Sequence, residues 1–341
     1  MKLFLKNLSY FSIIGVILLI PTLITYITLD PFKVIHTYDS FFDAKEKGRV
    51  GVNKDYISSS TFIRNIENLS INYDSYIFGN SRSIFYQLSD WKKHIPSYSI
   101  GYHFDASSES IWAINKKIEY IDNLGLKINN TLLVLDYSTL VLDKPKKGHL
   151  FITSPILVNN RNLISFHATF FKSFITPKFL YAYIDFIISK KVKPYMSDSH
   201  LLEKTPLNYN EISNEIRYDV FEDLITNNIY YTKERLLPFY KRDFIKKHSP
   251  IAIGNPQKII LQNIADLLKK HNSKTKIIIN PLYDQLYLHE SDLAFLKKTF
   301  GEYVVFDFSG INIFTSDYRN YYENSHYRPH IAREIMELIY Q

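Results

Sequence analysis

The sequence predicts an α/β protein: a mainly parallel sheet layered with helices, preceded by one hydrophobic N-terminal helix and interrupted by a largely helical insertion. Three observations carry this expectation. Short runs of β-branched and aromatic residues alternate with amphipathic segments, the order that builds parallel sheets. A charge-free stretch of 23 residues, 7–29, stands before the first of them. The alternation is suspended between about residues 140 and 249, where no strand series is visible.

The N-terminal stretch is taken first. About 20 apolar residues cross the hydrocarbon core of a bilayer, so 7–29 is long enough to do so with some tilt. A cleaved signal peptide has a shorter apolar region and small residues at its cleavage site, whereas this one ends in Ile27-Thr28-Leu29-Asp30-Pro31. Residues 1–30 are therefore expected to be an uncleaved single-pass anchor, and a buried core helix is the alternative. Pro21 falls inside the span, where membrane helices tolerate it. Lys2 and Lys6 precede the span, and Lys33, Lys45, Lys47 and Arg49 follow it, so the positive-inside bias is weak. The expected location is a bacterial inner membrane with the bulk of the chain on the periplasmic side.

Residues 31–72 are polar and irregular and are expected to be a stalk. From 73 to 341 the strand candidates are 75–78, 98–100, 131–135, 276–279 and 303–306. The helix candidates are 83–91, 108–123, 256–270, 292–300 and 329–340. The last of these opens with Pro329, well suited to a first turn that needs no amide hydrogen. The insertion, 140–249, is expected to lie outside the sheet, as a cap over its carboxyl edge.

Composition excludes several classes of function. No cysteine occurs, so disulfides, thiolate metal sites and a cysteine nucleophile are ruled out. With 22% charged and 46% hydrophobic residues the chain is not disordered as a whole. Lys and Arg number 41 against 34 acids, a surplus of +7 spread along the chain, which suits an acidic partner or a membrane surface without demanding either. The lysine clusters at 144–147 and 190–193 are expected as solvated faces, so no nucleic acid partner is implied. His94, His103, His200 and His289 lack paired ligand spacing, and neither a metal nor another cofactor is expected.

Two short motifs carry chemistry. In Phe78-Gly79-Asn80-Ser81-Arg82, Ser81 follows a hydrophobic strand through a tight-turn pair. Ligands gather at the carboxyl ends of strands in α/β sheets, and a serine on such a turn has a backbone amide available to an oxyanion. The same serine is also a good helix cap. In Glu323-Asn324-Ser325-His326, the acid three residues before the imidazole is able to fold back onto Nδ1 and leave Nε2 as a base. Arg82 would recognise an anionic group or form a structural ion pair.

Together these motifs resemble the SGNH, or GDSL-like, hydrolase superfamily, whose nucleophile sits in a Gly-Asp-Ser block and whose acid and base share a late Asp-x-x-His block. Gly79-Asn80-Ser81 matches the first with Asn80 in place of Asp. Glu323-x-x-His326 matches the second with Glu323 in place of Asp. The resemblance extends over about 73–140 and 250–341, and includes Ile279-Asn280-Pro281 and the ending His326-Tyr327-Arg328-Pro329 of membrane-anchored members. It implies a three-layer α/β/α fold and a Ser81–His326–Glu323 triad, with Gly101 after the second strand as an oxyanion donor. Asp136 occupies the position at which the family places an oxyanion-binding Asn. The resemblance implies a membrane-anchored serine O-acyltransferase or esterase acting on a cell-envelope polysaccharide, similar to alginate O-acetyltransferases and the D-alanyl transfer protein of lipoteichoic acid. A membrane-bound O-acyltransferase is the implied partner. The alternative is a catalytically degenerate scaffold that binds glycan or that partner enzyme.

Overall fold

A computed structural model describes all residues except 43–47, 198–201, 204–206 and 244, and excludes the side chains of 2, 8, 12–16, 18, 197 and 203. Lys45, Lys47 and His200 thus lie outside the described residues. The chain divides into two compact units.

The larger unit comprises Asn53–Lys147, Phe151–Arg161 and Pro206–Gln341. At its centre are five strands: β1 (Ser75–Gly79), β2 (Gly101–His103), β3 (Asn130–Leu135), β4 (Lys274–Ile279) and β5 (Val305–Asp307). They pair in the order β5-β4-β3-β1-β2, every pair parallel. The central runs Leu132-Leu133-Val134-Leu135 and Ile277-Ile278-Ile279 are apolar without interruption because both faces of a parallel sheet are covered. Tyr76, Phe78, Leu133, Leu135, Ile277 and Ile279 point into a core shared with α2 (Lys54–Leu69), α3 (Ile111–Asn123), α6 (Asn255–Lys270) and α7 (Glu290–Phe300). Ile77, Leu132, Val134 and Ile278 point the other way, onto Ile331, Ala332, Ile335, Met336 and Ile339 of α8 (Pro329–Ile339). The sheet is thus sandwiched between helical layers.

Three expectations change. The second strand begins at Gly101 rather than at 98. Ser99 N–H closes a turn onto Pro96 O at 2.9 Å, and the Ile100 amide is taken by Asp74 Oδ1 at 2.9 Å, so the ladder starts only afterwards. Helix 83–91 is instead a single 3₁₀ turn, Ser83–Phe85, and a short helix, Leu88–Trp91, separated by Gln87 in the extended region. The stalk contains α2, whose Phe62 is fully buried against Tyr73, Tyr102 and Phe104. Its apolar signal is hidden because the buried face carries Ser58, Ser59 and Thr61; the Ser59 hydroxyl donates to Asp55 O at 2.8 Å.

No strand of the five comes from 140–249. Part of that insertion also covers the lateral edge of β2: His103 N–H donates to Ser213 O at 2.9 Å, and Asn214 Nδ2 donates to His103 O at 2.6 Å.

The smaller unit comprises Met1–Val52, Gly148–Leu150 and Asn162–Thr205. It contains α1 (Lys2–Leu29, 28 residues), α4 (Leu163–Phe174) and α5 (Pro177–Ser189). Asp30 ends α1 in the left-handed region, and its carboxylate accepts from the amides of Val34, Ile35 and His36 at 2.8–2.9 Å. Among the described residues, from which several α1 side chains are excluded, no helix is long and apolar enough to cross a membrane.

Candidate active site

The carboxyl ends of β1 and β3 and the hairpin Tyr321–Glu323/His326–Tyr327 bring the two sequence motifs together. Ser81 and His326, 245 residues apart, meet with Oγ 2.8 Å from Nε2. On the other side of the ring, Nδ1 meets Glu323 Oε1. A carboxylate only accepts, so Nδ1 carries the proton and donates it to Glu323. Nε2 is then left to accept from the Ser81 hydroxyl. Glu323 Oε2 accepts from the Ser325 amide at 2.7 Å, which keeps the carboxylate from swinging away. The His326 and Glu323 side chains are each about one-third exposed, so the pair opens to solvent.

The turn bearing Ser81 is held by Asn80, which is 2% exposed. Its Oδ1 accepts from the Arg82 amide at 3.0 Å and its carbonyl from the Ser83 amide at 2.9 Å, an Asx-type closure of the turn. Its Nδ2 donates to Asp136 Oδ2 at 2.8 Å and Thr139 Oγ1 at 3.0 Å, tying β1 to the end of β3. The Ser81 amide itself has no hydrogen-bond partner among the described residues, which leaves one donor beside the hydroxyl.

Asp136 is the centre of this support. Oδ2 accepts from Asn80, from Arg82 Nη1 at 2.8 Å and from Asn280 Nδ2 at 3.1 Å; Oδ1 accepts from Ser138 Oγ at 2.5 Å and the Thr139 amide at 3.0 Å. Burial alone would push the carboxyl up. The Arg82 guanidinium and the hydrogen bonds from Ser138, Asn80 and Asn280 outweigh it and hold the group at about 2. Asp136 therefore remains an anion, satisfied on both oxygens, and does not serve as an oxyanion donor.

Arg82 takes its structural alternative. Besides Asp136, its Nε donates to Ser325 O at 2.9 Å and its Nη2 to Ser325 Oγ at 3.1 Å. One guanidinium thus links the Ser81 turn, the end of β3 and the loop before His326.

Gly101 is not where its expected role requires. It pairs with Ser75, the first residue of β1, at the amino end of the sheet, while Ser81 lies beyond the carboxyl end. Its lack of a side chain serves packing instead, since a Cβ there would lie 2.8 Å from Leu88 Cδ2. The segment of this strand that travels alongside the end of β1 is Phe104-Asp105-Ala106, with Ala106 N–H 3.3 Å from Gly79 O.

Two residues of the quoted segments gain a role that the motifs did not assign. Tyr327 OH lies 3.0 Å from Arg82 O and 2.8 Å from Asn280 Oδ1, both acceptors, and donates to one at a time. Both stand in segments that carry the resemblance: Asn280 directly follows β4, and Tyr327 directly follows the histidine. The insertion also braces the hairpin. Glu222 accepts from Arg328 Nη2 at 2.6 Å and from Tyr322 OH at 2.6 Å, while Tyr230 and Tyr231 hydroxyls donate to the carbonyls of Tyr322 and Tyr321 at 3.2 and 2.9 Å. Burial opposes the Glu222 charge, but Arg328 and Tyr322 hold its carboxyl below the usual range. No sequence pattern links residue 222 to residue 326.

Among the described residues no group of three His, Cys, Asp or Glu side chains is placed to hold a metal ion. No protein-family model matches the chain, and no curated protein is significantly similar to it.

Proposed function

We propose that this chain is a serine acyltransferase or esterase of SGNH-like design, anchored by α1 in a bacterial inner membrane, that works on a cell-envelope polysaccharide. What carries the reading is the continuous line Ser81 Oγ, His326 Nε2, His326 Nδ1, Glu323. In the reaction, Ser81 Oγ bonds to the carbonyl carbon of an acyl ester and its proton passes to His326 Nε2. The Ser81 amide faces the developing oxyanion. Collapse breaks the ester bond, and the imidazolium returns its proton to the departing alcohol. A sugar hydroxyl, or water in an esterase, then attacks the acyl-serine with His326 again accepting the proton; the bond from the acyl carbon to Ser81 Oγ breaks, and the imidazolium returns that proton to Ser81. Glu323 holds the imidazole tautomer throughout. A membrane-bound O-acyltransferase fits as the supplier of acyl groups. The charge-free residues 7–29 and the 28-residue length of α1, about 42 Å at 1.5 Å per residue, support the anchor.

Two observations favour a second reading, a non-catalytic scaffold: Gly101 lies at the wrong end of the sheet, and Asp136 is locked to Arg82. One experiment separates the two. The full chain, solubilised in detergent, is treated with a serine-directed fluorophosphonate and assayed on an activated acetyl ester. Labelling at Ser81, with turnover reduced by roughly 10⁴-fold or more in Ser81→Ala, is expected of the enzyme. His326→Ala should cost a similar factor, since members of one catalytic unit do not add. An unlabelled Ser81 and an unchanged rate in Ser81→Ala would leave the scaffold.

A further inference from the structure

The smaller unit presents exposed apolar side chains on two of its helices besides α1. Helices α4 and α5 form a hairpin whose inner side is aromatic. Phe166, Phe170, Phe174, Phe179, Ala182 and Tyr183 are buried, with Phe32 stacked on Phe179 at 4.9 Å and against Phe170 at 5.3 Å. The hairpin is fixed to the last turns of α1, where Tyr26 meets Phe171 at 5.4 Å and Phe174 at 5.2 Å. A surface helix pair with so apolar an inner side ordinarily turns polar residues outward.

This pair does not. Ile164 is 87% exposed, Tyr181 67%, Ile184 49% and Ile188 78%, and Leu163 and Ile175 are exposed as well. Tyr181, Ile184 and Ile188 follow at i, i+3 and i+7, so they line one outer stripe of α5. Exposed large apolar side chains this concentrated mark an interaction surface. The charge around them has one dominant sign. Lys172, Lys178, Lys190 and Lys191 are exposed, whereas the one acid between 162 and 192 is Asp185, whose carboxylate is engaged by Lys193 at 2.7 Å. Apolar outer faces with a lysine fringe, seated at the end of a long apolar helix, match the headgroup boundary of an anionic bilayer.

We propose that the α4–α5 hairpin lies in the headgroup region of an anionic membrane, its outer apolar stripe buried in lipid beside the exit of α1. This rests on the reading of α1 as the anchor, and the test keeps the two apart. Because the chain has no cysteine, single substitutions give unique labels. Ile164→Cys and Ile184→Cys report the hairpin, Leu23→Cys reports α1, and Tyr303→Cys, 89% exposed in the larger unit, is the aqueous reference. Each full-length variant carries an environment-sensitive fluorophore and is reconstituted in vesicles of phosphatidylcholine with phosphatidylglycerol. Nitroxide placed shallowly in the acyl chains should quench 164 and 184 several-fold more than 303, and more than deep nitroxide does. Aqueous iodide should show the reverse order. Removing phosphatidylglycerol or adding salt should weaken the hairpin signal. Lipid quenching at 23 with an aqueous 184 and 164 overturns the hairpin inference and leaves the anchor standing. Lipid quenching at 164 and 184 with an aqueous 23 upholds the hairpin and removes the anchor. Iodide protection that appears only at high protein density, without lipid quenching, assigns the stripe to a second copy of the chain and also overturns the inference.

Discussion

At the scale of single residues, five hydrogen bonds around the Ser81 turn converge on the carboxylate of Asp136. Its carboxyl is held at about 2, below the usual carboxylate value, because Arg82 and three side-chain donors overcome burial. A folded-state value below the unfolded one means the contribution is complete above about pH 4 and disappears as pH falls through about 2. The size is on the order of 2 kcal/mol, from about 1.4 kcal/mol per pKa unit. Asp136→Asn should therefore flatten the acid limb of stability between about pH 4 and 2, read by urea unfolding across that range; an unaltered limb would remove the ion pair from the account. Arg82→Ala is expected to cost more at neutral pH, about 3–5 kcal/mol, since it leaves a carboxylate that is 1% exposed without its cation. Arg82→Lys should rescue little, because an ammonium does not span Asp136 and the Ser325 carbonyl as the guanidinium fork does.

At the scale of elements, Gly79 shows how tightly the end of β1 is fitted. A Cβ there would lie 2.6 Å from Val134 O and 2.8 Å from Ser83 Cβ, backbone of β3 on one side and the segment after Ser81 on the other. Gly79→Ala should cost about 1–3 kcal/mol by overpacking, measured by thermal or urea unfolding, and should lower activity further than the lost stability accounts for, because the turn must shift. The same comparison explains what the sequence discloses. β1, β3 and β4 are legible because burial on both faces demands unbroken apolar runs, and α8 because its buried residues recur at helical spacing. The Ser81 and His326 motifs are legible because each is local. β2 is misplaced because Tyr98 and Ile100, which look like strand residues, are exposed at a turn. That three-residue slip carried Gly101 into a role at the opposite end of the sheet. α2 is hidden because Ser58, Ser59 and Thr61 occupy a buried face, their hydroxyls satisfied by Asp55 O within the helix and by Ser154 and Tyr209 far away in sequence. Lys117 is equally opaque: fully buried on α3, it pairs with Asp55 of α2 at 2.9 Å and with Glu109. A lysine at helical spacing looks like a surface residue until its partners are known.

At the scale of the whole α/β unit, the candidate base depends on a segment far from it in sequence. The hairpin that carries His326 has two short strands, and an isolated two-stranded hairpin is marginal in water. Its rigidity comes from what surrounds it: Arg82 and Asn280, which its own Tyr327 hydroxyl reaches, and Glu222, Tyr230 and Tyr231 from the insertion. The sheet below is independent of that brace, since Leu132–Leu135 and Ile277–Ile279 are sealed by helices on both sides. Two levels of protection follow. Amides of β1, β3 and β4 should exchange with solvent by global unfolding alone, while those of 321–327 should open locally and faster. Glu222→Ala removes both acceptors of the brace at once and leaves Arg328 and the Tyr322 hydroxyl without their partner. It should speed exchange across 321–327 by about tenfold, equivalent to about 1.4 kcal/mol of local stability, with sheet protection unchanged. Activity should fall with it, because the Ser81–His326 distance is set by where the hairpin rests. Glu222→Gln retains one acceptor and should lie between the two. If hairpin exchange in Glu222→Ala matched the parent protein, the insertion would be a cover for the edge of β2 and nothing more; if sheet protection collapsed as well, the brace would belong to the core and not to the site.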